Sequence, residues 1–301
     1  MTVDWIAVDW GTSAVRVWVV GSEGDVIRRA RSDRGMGQLA PDAFERALLD
    51  LIEADLDTDR VTPVICCGMV GARQGWVEAP YAAVPCAPPG MAEAVRPPVS
   101  DPRISVHILP GLRQDQPADV MRGEETQIAG FLSAHADFDG VLCLPGTHAK
   151  WARISAGEVV SFRTAMTGEV FALLSGSSVL RHGLAGDGWD DAAFRAAIDD
   201  AMTAPAQLTA RLFSLRAEGL LHGLEAGTAR ARLSGLLIGL ELAAMRPYWL
   251  GQNVALIGEG GLTERYAAAL TAVGAAPAVT DATRVTLAGL TRARRQMKDK
   301  T

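Results

Sequence analysis

The sequence predicts an α/β protein built from two similar lobes, and three observations carry that prediction. Near the start, two β-branched and aromatic segments (3–8 and 15–20) flank a turn too short for a helix, so they read as neighbouring antiparallel strands; a third (25–30) follows Gly21-Ser22-Glu23-Gly24. The same order returns in the second half, where 140–144, 150–154 and 159–163 are separated by Pro145-Gly146-Thr147-His148 and a turn at Gly157. Laid over one another, the halves match Gly11-Thr12 with Gly146-Thr147, Ala14 with Ala149, Glu23 with Glu158 and Arg28 with Arg163. Identity is sparse, so the repeated order (strand, Gly-Thr turn, strand, turn, strand, helix) weighs more than the matched letters.

The remaining elements follow in order. Gly35-Met36-Gly37 makes a loop, then Pro41 and Asp42 open a helix striped by Phe44, Ala47, Leu48, Leu51 and Ile52. Segments 61–67 and 104–109 read as buried strands, separated by the loop-rich stretch 71–98. The first half is therefore expected as a three-strand meander, then helix, strand, helix, strand. A helix starts near Glu124 and runs to about Ala134. Later helices are expected over 190–202, 206–218 and 229–245, and a strand over 253–257 leads through Gly258-Glu259-Gly260-Gly261 into a helix over 262–273. The closing helix, from Asp281, gathers Arg292, Arg294, Arg295, Lys298 and Lys300 near its end, where positive charge complements the helix dipole and a solvated face is the default. The lobes are drawn at 1–135 and 136–301, with the last helix free to pack back on the first.

Composition narrows the function. The 301 residues are 49% hydrophobic, enough for substantial cores, and the net charge of −6 offers no basic face to nucleic acid. The start lacks a basic-then-apolar leader pattern, and the longest apolar run, 236–245, is too short for a bilayer and is broken by Glu241. A cytoplasmic protein is expected, with no membrane partner; oligomeric state is left open, a homodimer included. Cys66, Cys67, Cys86 and Cys143 form no C-x-x-C pair and read as buried thiols, and the five histidines lack ligand spacing.

The chemistry concentrates in turns. In Asp9-Trp10-Gly11-Thr12-Ser13, Gly11 lets the backbone turn closely, and Thr12 and Ser13 add hydroxyls to exposed N–H groups, a concavity suited to phosphate oxygens. Asp9 would be an acid aimed at a metal; an ordinary hairpin is the competing reading. Gly258-Glu259-Gly260-Gly261, between a strand and a helix N-terminus, suits a phosphate or a sugar–base edge, although a plain connection explains it as well.

Together and in this order, DWGTSAVR (9–16), LPGTHAK (144–150) and IGEGGL (257–262) resemble the phosphate-1, phosphate-2 and adenosine motifs of the actin-like ATPase superfamily, which includes sugar kinases. The resemblance implies two ribonuclease-H-like lobes with a central cleft for MgATP and substrate. It implies that Gly11, Thr12, Ser13, Gly146, Thr147, Gly258, Gly260 and Gly261 bind ATP, and that Asp9 holds Mg²⁺ through water. Lys150, Arg16 and His148 could assist at phosphate, and each is equally at home as a structural residue. Met121-Arg122-Gly123-Glu124-Glu125-Thr126-Gln127 is similar to the Gly-Asp-Gln stretch that supplies the base in glycerol-kinase-type enzymes, with Glu in place of Asp. Glu124 falls on that acid. Glu125 lies about 100° away around the helix, so the two cannot serve one hydroxyl; a purely structural role at the helix start remains the alternative.

WIAVDWGTS, CGMVGARQGWVEAPY (67–81), the LPGLRQ…DVMRGEETQ segment (109–127), LPGTHAKW (144–151) and FRTAMTGE (162–169) resemble one family more closely, the 2-keto-3-deoxygalactonokinases. That resemblance implies ATP-dependent phosphorylation of the C6 hydroxyl of 2-dehydro-3-deoxy-D-galactonate. An anionic acceptor calls for a guanidinium, and Arg73, Arg122 and Arg163 are the candidates, each with an ordinary surface or ion-paired reading. Trp76 could pack a sugar face or anchor its loop, and Gly37 could let the backbone approach the ligand or simply turn. Three rivals stand beside this reading: a nucleotide-driven conformational module, a kinase for an epimeric acid such as 2-keto-3-deoxygluconate, and a polyphosphate-hydrolysing enzyme of the same fold.

Overall fold

Side-chain alternation along the first strand decides how the first sheet is covered. Ile6, Val8 and Trp10 point to one face, and Trp5, Ala7 and Asp9 to the other. The computed structural model describes residues 2–299; Lys300, counted above in the last helix, lies outside the described residues. Strand β1 (Val3–Trp10) pairs antiparallel with β2 (Val15–Gly21), and β2 pairs antiparallel with β3 (Val26–Ser32). On its other side β1 runs parallel to β4 (Thr62–Gly68), in a register that sets Asp9 between Arg16 and Cys67. The Ile6–Val8–Trp10 face is closed by α1 (Phe44–Ile52) through Phe44, Leu48 and Ile52, the helical stripe read from the sequence. The opposite face packs on Leu290 and Ala293 of the C-terminal helix.

The helix expected between the fourth strand and the next is absent. Residues 69–103 instead form short 3-10 turns at Met69–Gly71 and Met91–Glu93 and a strand, β5 (Tyr81–Ala83). Pro80, Pro85, Pro88, Pro89, Pro97 and Pro98 remove the N–H groups that a helix there would need. After β6 (Ile104–Ile108), parallel to β4, come β7 (Gly111–Asp115) and β8 (Ala118–Met121), which join β5 in a small sheet the sequence reading does not foresee. Helix α2 (Glu124–Ala134) follows.

The second sheet contains β9 (Gly140–Leu144), β10 (Ala149–Ser155), β11 (Glu158–Ala165), β12 (Val254–Gly258) and β13 (Ala278–Asp281). Its strand order, β11-β10-β9-β12-β13, repeats the order β3-β2-β1-β4-β6 of the first. The duplication read from the Gly-Thr turns is thus a duplication of topology. Between β11 and β12 the chain forms α3 (Thr167–Gly176), α4 (Arg181–Leu184), α5 (Asp191–Thr203), α6 (Leu208–Leu221), α7 (Ala226–Ala244) and α8 (Arg246–Trp249). Helix α9 (Gly260–Ala272) precedes β13, and α10 (Ala282–Lys298) is last. Asp190 and Asp281 cap α5 and α10 by accepting the N–H of Ala193 and Arg284, at 2.9 and 2.6 Å. The basic end of α10 is not simply solvated: Arg294 Nη2 and Lys298 Nζ reach Asp4, at 3.1 and 3.0 Å.

By contacts the chain separates into two units, Met1–Asp139 with Ile154–Ser161 and Asp281–Thr301, and Gly140–Arg153 with Phe162–Thr280. The second unit's core gathers Trp151, Phe194, Ile198, Leu242 and Tyr266. Among the described residues no helix is long and apolar enough to cross a membrane.

Candidate active site

In the first unit the Gly11 N–H donates to the Ala14 carbonyl (2.8 Å) and closes the turn between β1 and β2, leaving Thr12 and Ser13 exposed. The turn is buttressed from behind. Met36 and Gly37 N–H groups donate to the carbonyls of Gly11 and Thr12, at 3.0 and 2.9 Å, and a Cβ at Gly35 would fall 2.3 Å from the carbonyl carbon of Ser13. Gly37 itself is exposed beside Thr12.

Asp9, next to last in β1, lies on the sheet face covered by α10. Its Oδ2 accepts from Arg16 Nη2 (2.6 Å) and Nε (3.1 Å), while Arg16 Nη1 donates to Thr283 Oγ1 (2.9 Å). The other carboxylate oxygen has the Cys67 thiol at 3.8 Å. Gly123, with φ +109°, approaches the end of β4 so closely that its Cβ would lie 3.3 Å from Gly68 Cα. This contact brings the start of α2 to the strand end next to Asp9. There the two acids separate. Glu125 is 1% exposed, and both its oxygens accept the Gly123 N–H at 2.8 Å. Burial, with the Glu124 charge adding to it, pushes Glu125 up to about 8 against the backbone donors that oppose the rise. Glu124 is half-buried, with Oε2 accepting the Arg122 N–H at 3.1 Å.

Two expected substrate contacts are otherwise engaged. Trp76 is 8% exposed and packs against Trp10 and stacks on Phe44, with centroids 6.5 and 6.1 Å apart, so its ring is core and not a sugar platform. Arg122 is buried, donates from Nη2 to the Ala79 carbonyl (2.8 Å) and from Nε to the Tyr81 hydroxyl (3.3 Å), and lies 4.1 Å over the Tyr81 ring. It ties the start of α2 to the segment around Ala79 and Tyr81. Arg73 is exposed, 3.6 Å from Glu78, and Arg163 is exposed on β11.

The second unit repeats the buttressed turn. The Glu169 N–H donates to the Thr147 carbonyl (2.9 Å), and a Cβ at Gly168 would fall 2.3 Å from the Gly146 carbonyl oxygen. Gly168 follows the end of β11, as Gly35 follows the end of β3, by three positions. The sequence reading registers FRTAMTGE as a motif without this correspondence. Gly146, Thr147, Thr167, Gly168, Leu262 and Tyr266 line a cavity of about 300 Å³, whose floor adds Ser234 and Ile238. Gly258 ends β12, Gly260 takes φ +64°, and α9 starts there with Leu262 turned to the cavity. Gly261 lines an adjoining hollow of about 420 Å³ with Trp189, and Arg265, 4.0 Å over the Trp189 ring, borders both. Two of the three motifs thus meet in one cavity with apolar and hydroxyl walls, a setting that fits a nucleoside with its phosphates at the turn. His148 pairs with Glu169, and buried Lys150 donates to Thr164 Oγ1 at 3.0 Å.

Comparison with known proteins agrees with this geometry. The family model described as 2-keto-3-deoxy-galactonokinase matches residues 9–293. The chain belongs to that family. Among relatives, a probable 2-dehydro-3-deoxygalactonokinase, DgoK1 of Rhizobium meliloti (strain 1021), is 41% identical over 297 residues, covering 96% of each chain. The 2-dehydro-3-deoxygalactonokinase of Escherichia coli (strain K12) is 36% identical over 278 residues, 91% of each. A crystal structure assigned as a 2-dehydro-3-deoxygalactonokinase from Sinorhizobium meliloti superposes with TM-score 0.90 at 41% identity, over 97% of this chain and 99% of that one. The activator of 2-hydroxyisocaproyl-CoA dehydratase from Clostridium difficile shares only the fold, with TM-score 0.52 and 12% identity over 98% and 97% of the chains. The family members are sugar-acid kinases, and the fold is the duplicated α/β fold of the actin-like ATPases expected from the sequence.

Proposed function

We propose that the chain transfers the terminal phosphoryl group of ATP to the C6 hydroxyl of 2-dehydro-3-deoxy-D-galactonate, giving the 6-phosphate and ADP in the cytoplasm. The supporting observation is the cavity shared by the Gly146-Thr147 turn and the start of α9, in a chain matched by the family model almost throughout. In this reading the second unit holds the nucleoside, with Gly258, Gly260 and Gly261 shaping the approach to it. Gly11, Thr12, Ser13 and Thr147 donate to phosphate oxygens.

Glu124 is the proposed base. It is the accessible member of its pair, whereas Glu125 is turned inward and keeps its proton at neutral pH. A carboxylate accepting the hydroxyl proton as the O–P bond forms is what phosphoryl transfer asks of the acceptor side. Arg73 and Arg163, both exposed, are the proposed contacts for the acceptor's carboxylate, and the exposed backbone at Gly37 can approach the acceptor. Mg²⁺ fits the residues in one way only. No cluster of three or more ligating side chains exists among the described residues, and one Asp9 oxygen is taken by Arg16, so Asp9 would orient the waters of an ion carried by ATP. That ion would supply charge neutralisation at the bridging phosphate oxygens.

The test is ADP release measured over 2-keto-3-deoxy sugar acids, including the gluconate epimer, and neutral sugars. The galacto acid is expected to give the highest kcat/KM, and a neutral sugar outperforming every acid would defeat the proposal. Glu124→Gln is expected to lower kcat by roughly 10²- to 10⁴-fold while nucleotide binding persists; near-normal turnover would remove Glu124 from the role.

A further inference from the structure

One buried acid of the second unit has no part in the reading above. Glu241 lies on α7, is 4% exposed, and does not line the cavity. Its carboxylate accepts three hydrogen bonds: from Trp151 Nε1 at 2.7 Å, from the Tyr266 hydroxyl at 2.7 Å, and from the Thr167 hydroxyl. The three donors come from three elements. Trp151 is on β10, the strand leaving the Gly146-Thr147 turn; Thr167 is the first residue of α3; Tyr266 is on α9, two turns into the helix that begins at the adenosine motif. Thr167 and Tyr266 are themselves cavity walls.

A polar group in a core of this kind is costly. An apolar residue at 241 would leave a buried indole N–H and two hydroxyls without acceptors, so the carboxylate and its donors stand or fall together. A network held only for stability could have been replaced by packed hydrocarbon, as elsewhere on α7 at Leu233, Leu237 and Leu242. What this one adds is position. It fixes Thr167, and with it the neighbouring Gly168 that presses on the Gly146 carbonyl, in one register with α9.

We propose that Glu241 is a positioning residue for the nucleotide, setting the start of α3 and the first turns of α9 at the separation the cavity needs. Burial raises the Glu241 carboxyl above the usual carboxylate range, and the hydrogen bonds from Thr167, Trp151 and Tyr266 oppose that rise without cancelling it. This inference rests on the cavity being the nucleotide site, and the experiment separates the two.

The experiment measures ATP and ADP binding by calorimetry, and the KM values for both substrates, in wild type, Glu241→Gln, Thr167→Val and Tyr266→Phe. Glu241→Gln replaces one acceptor oxygen by an N–H donor. Each variant is expected to weaken nucleotide binding and raise the KM for ATP by about tenfold, the scale of one charge-assisted hydrogen bond, with the acceptor's KM within about twofold of wild type. Ile198→Val, a core deletion in the same unit, is expected to lower the melting temperature and leave nucleotide affinity unchanged. If Glu241→Gln does not fold, Thr167→Val, which keeps the acid, carries the decision. Unchanged nucleotide affinity in Thr167→Val and Tyr266→Phe, or equal rises in both KM values, would overturn the inference. Failure of the wild type to bind nucleotide would instead defeat the functional proposal beneath it.

Discussion

Glu124 and Glu125 are adjacent in sequence and opposite in environment, and the difference has a measurable consequence for stability. Glu125 holds its proton to about 8 in the folded protein and releases it near 4.5 when unfolded. Between those values the folded state binds the extra proton, so this residue's contribution to stability is complete below 4.5 and declines as pH rises toward 8. Urea midpoints at pH 6 and pH 8.5 are therefore expected to differ less in Glu125→Gln than in the wild type; equal falls in both would mean that Glu125 titrates normally. The helical angle between the two acids was legible in the sequence, and it is enough to forbid a shared role. Which acid turns inward was not legible, because that depends on the φ of +109° at Gly123 and its contact with Gly68, residues distant in the chain. Trp76 shows the same limit. Its loop's composition allowed an anchoring role, but not that Phe44 and Trp10, distant in the chain, would enclose the ring.

Among elements, the contact of α2 with α10 matters most for the proposed base, because α2 begins with Glu124. The helices touch backbone to backbone: a Cβ at Gly289 would fall 2.0 Å from the Thr126 carbonyl oxygen, and one at Gly130 would fall 1.8 Å from that of Val285. Gly289→Val must push the helices apart, at a cost of about 1–3 kcal/mol from overpacking. The expected result is a lower melting temperature together with a reduced kcat, since the shift displaces the start of α2; an unchanged melting temperature would show that the pair relaxes freely. Strands with β-branched runs and helices with apolar stripes were readable within a few residues, α1 and β9 among them, because their periodicity is local. The small sheet of β5, β7 and β8 was not, since its strands are short and β5 lies in a proline-rich stretch. Helix α3 escaped notice as well. Its apolar stripe, Val170, Phe171 and Leu174, is short and only partly buried against the helical cluster of the second unit, so it stands out less than the stripes of the longer helices.

At the scale of the whole molecule, the repeat is one of topology with divergent attachments. Both sheets place a Gly-Thr turn after the central strand and a glycine behind that turn, three positions past the third strand. The first unit fills the space behind with the loop 35–37, and the second with the start of α3. The second then adds α9 and a cavity of nucleoside size, and the first carries the half-buried Glu124 at a helix start near the Asp9 carboxylate. In the proposed reaction that asymmetry gives the nucleoside to the second unit and the base to the first, and it predicts a division of ligand effects. Hydrogen exchange with a non-hydrolysable ATP analogue alone should protect amides at 146–147, 167–169 and 260–266. The sugar acid alone should protect 35–37 and 122–125 instead, because stabilisation by mass action falls first on the segments a ligand touches. Protection of 260–266 by the sugar acid and not by the nucleotide analogue would reverse the assignment and with it the roles proposed for Glu124 and Glu241.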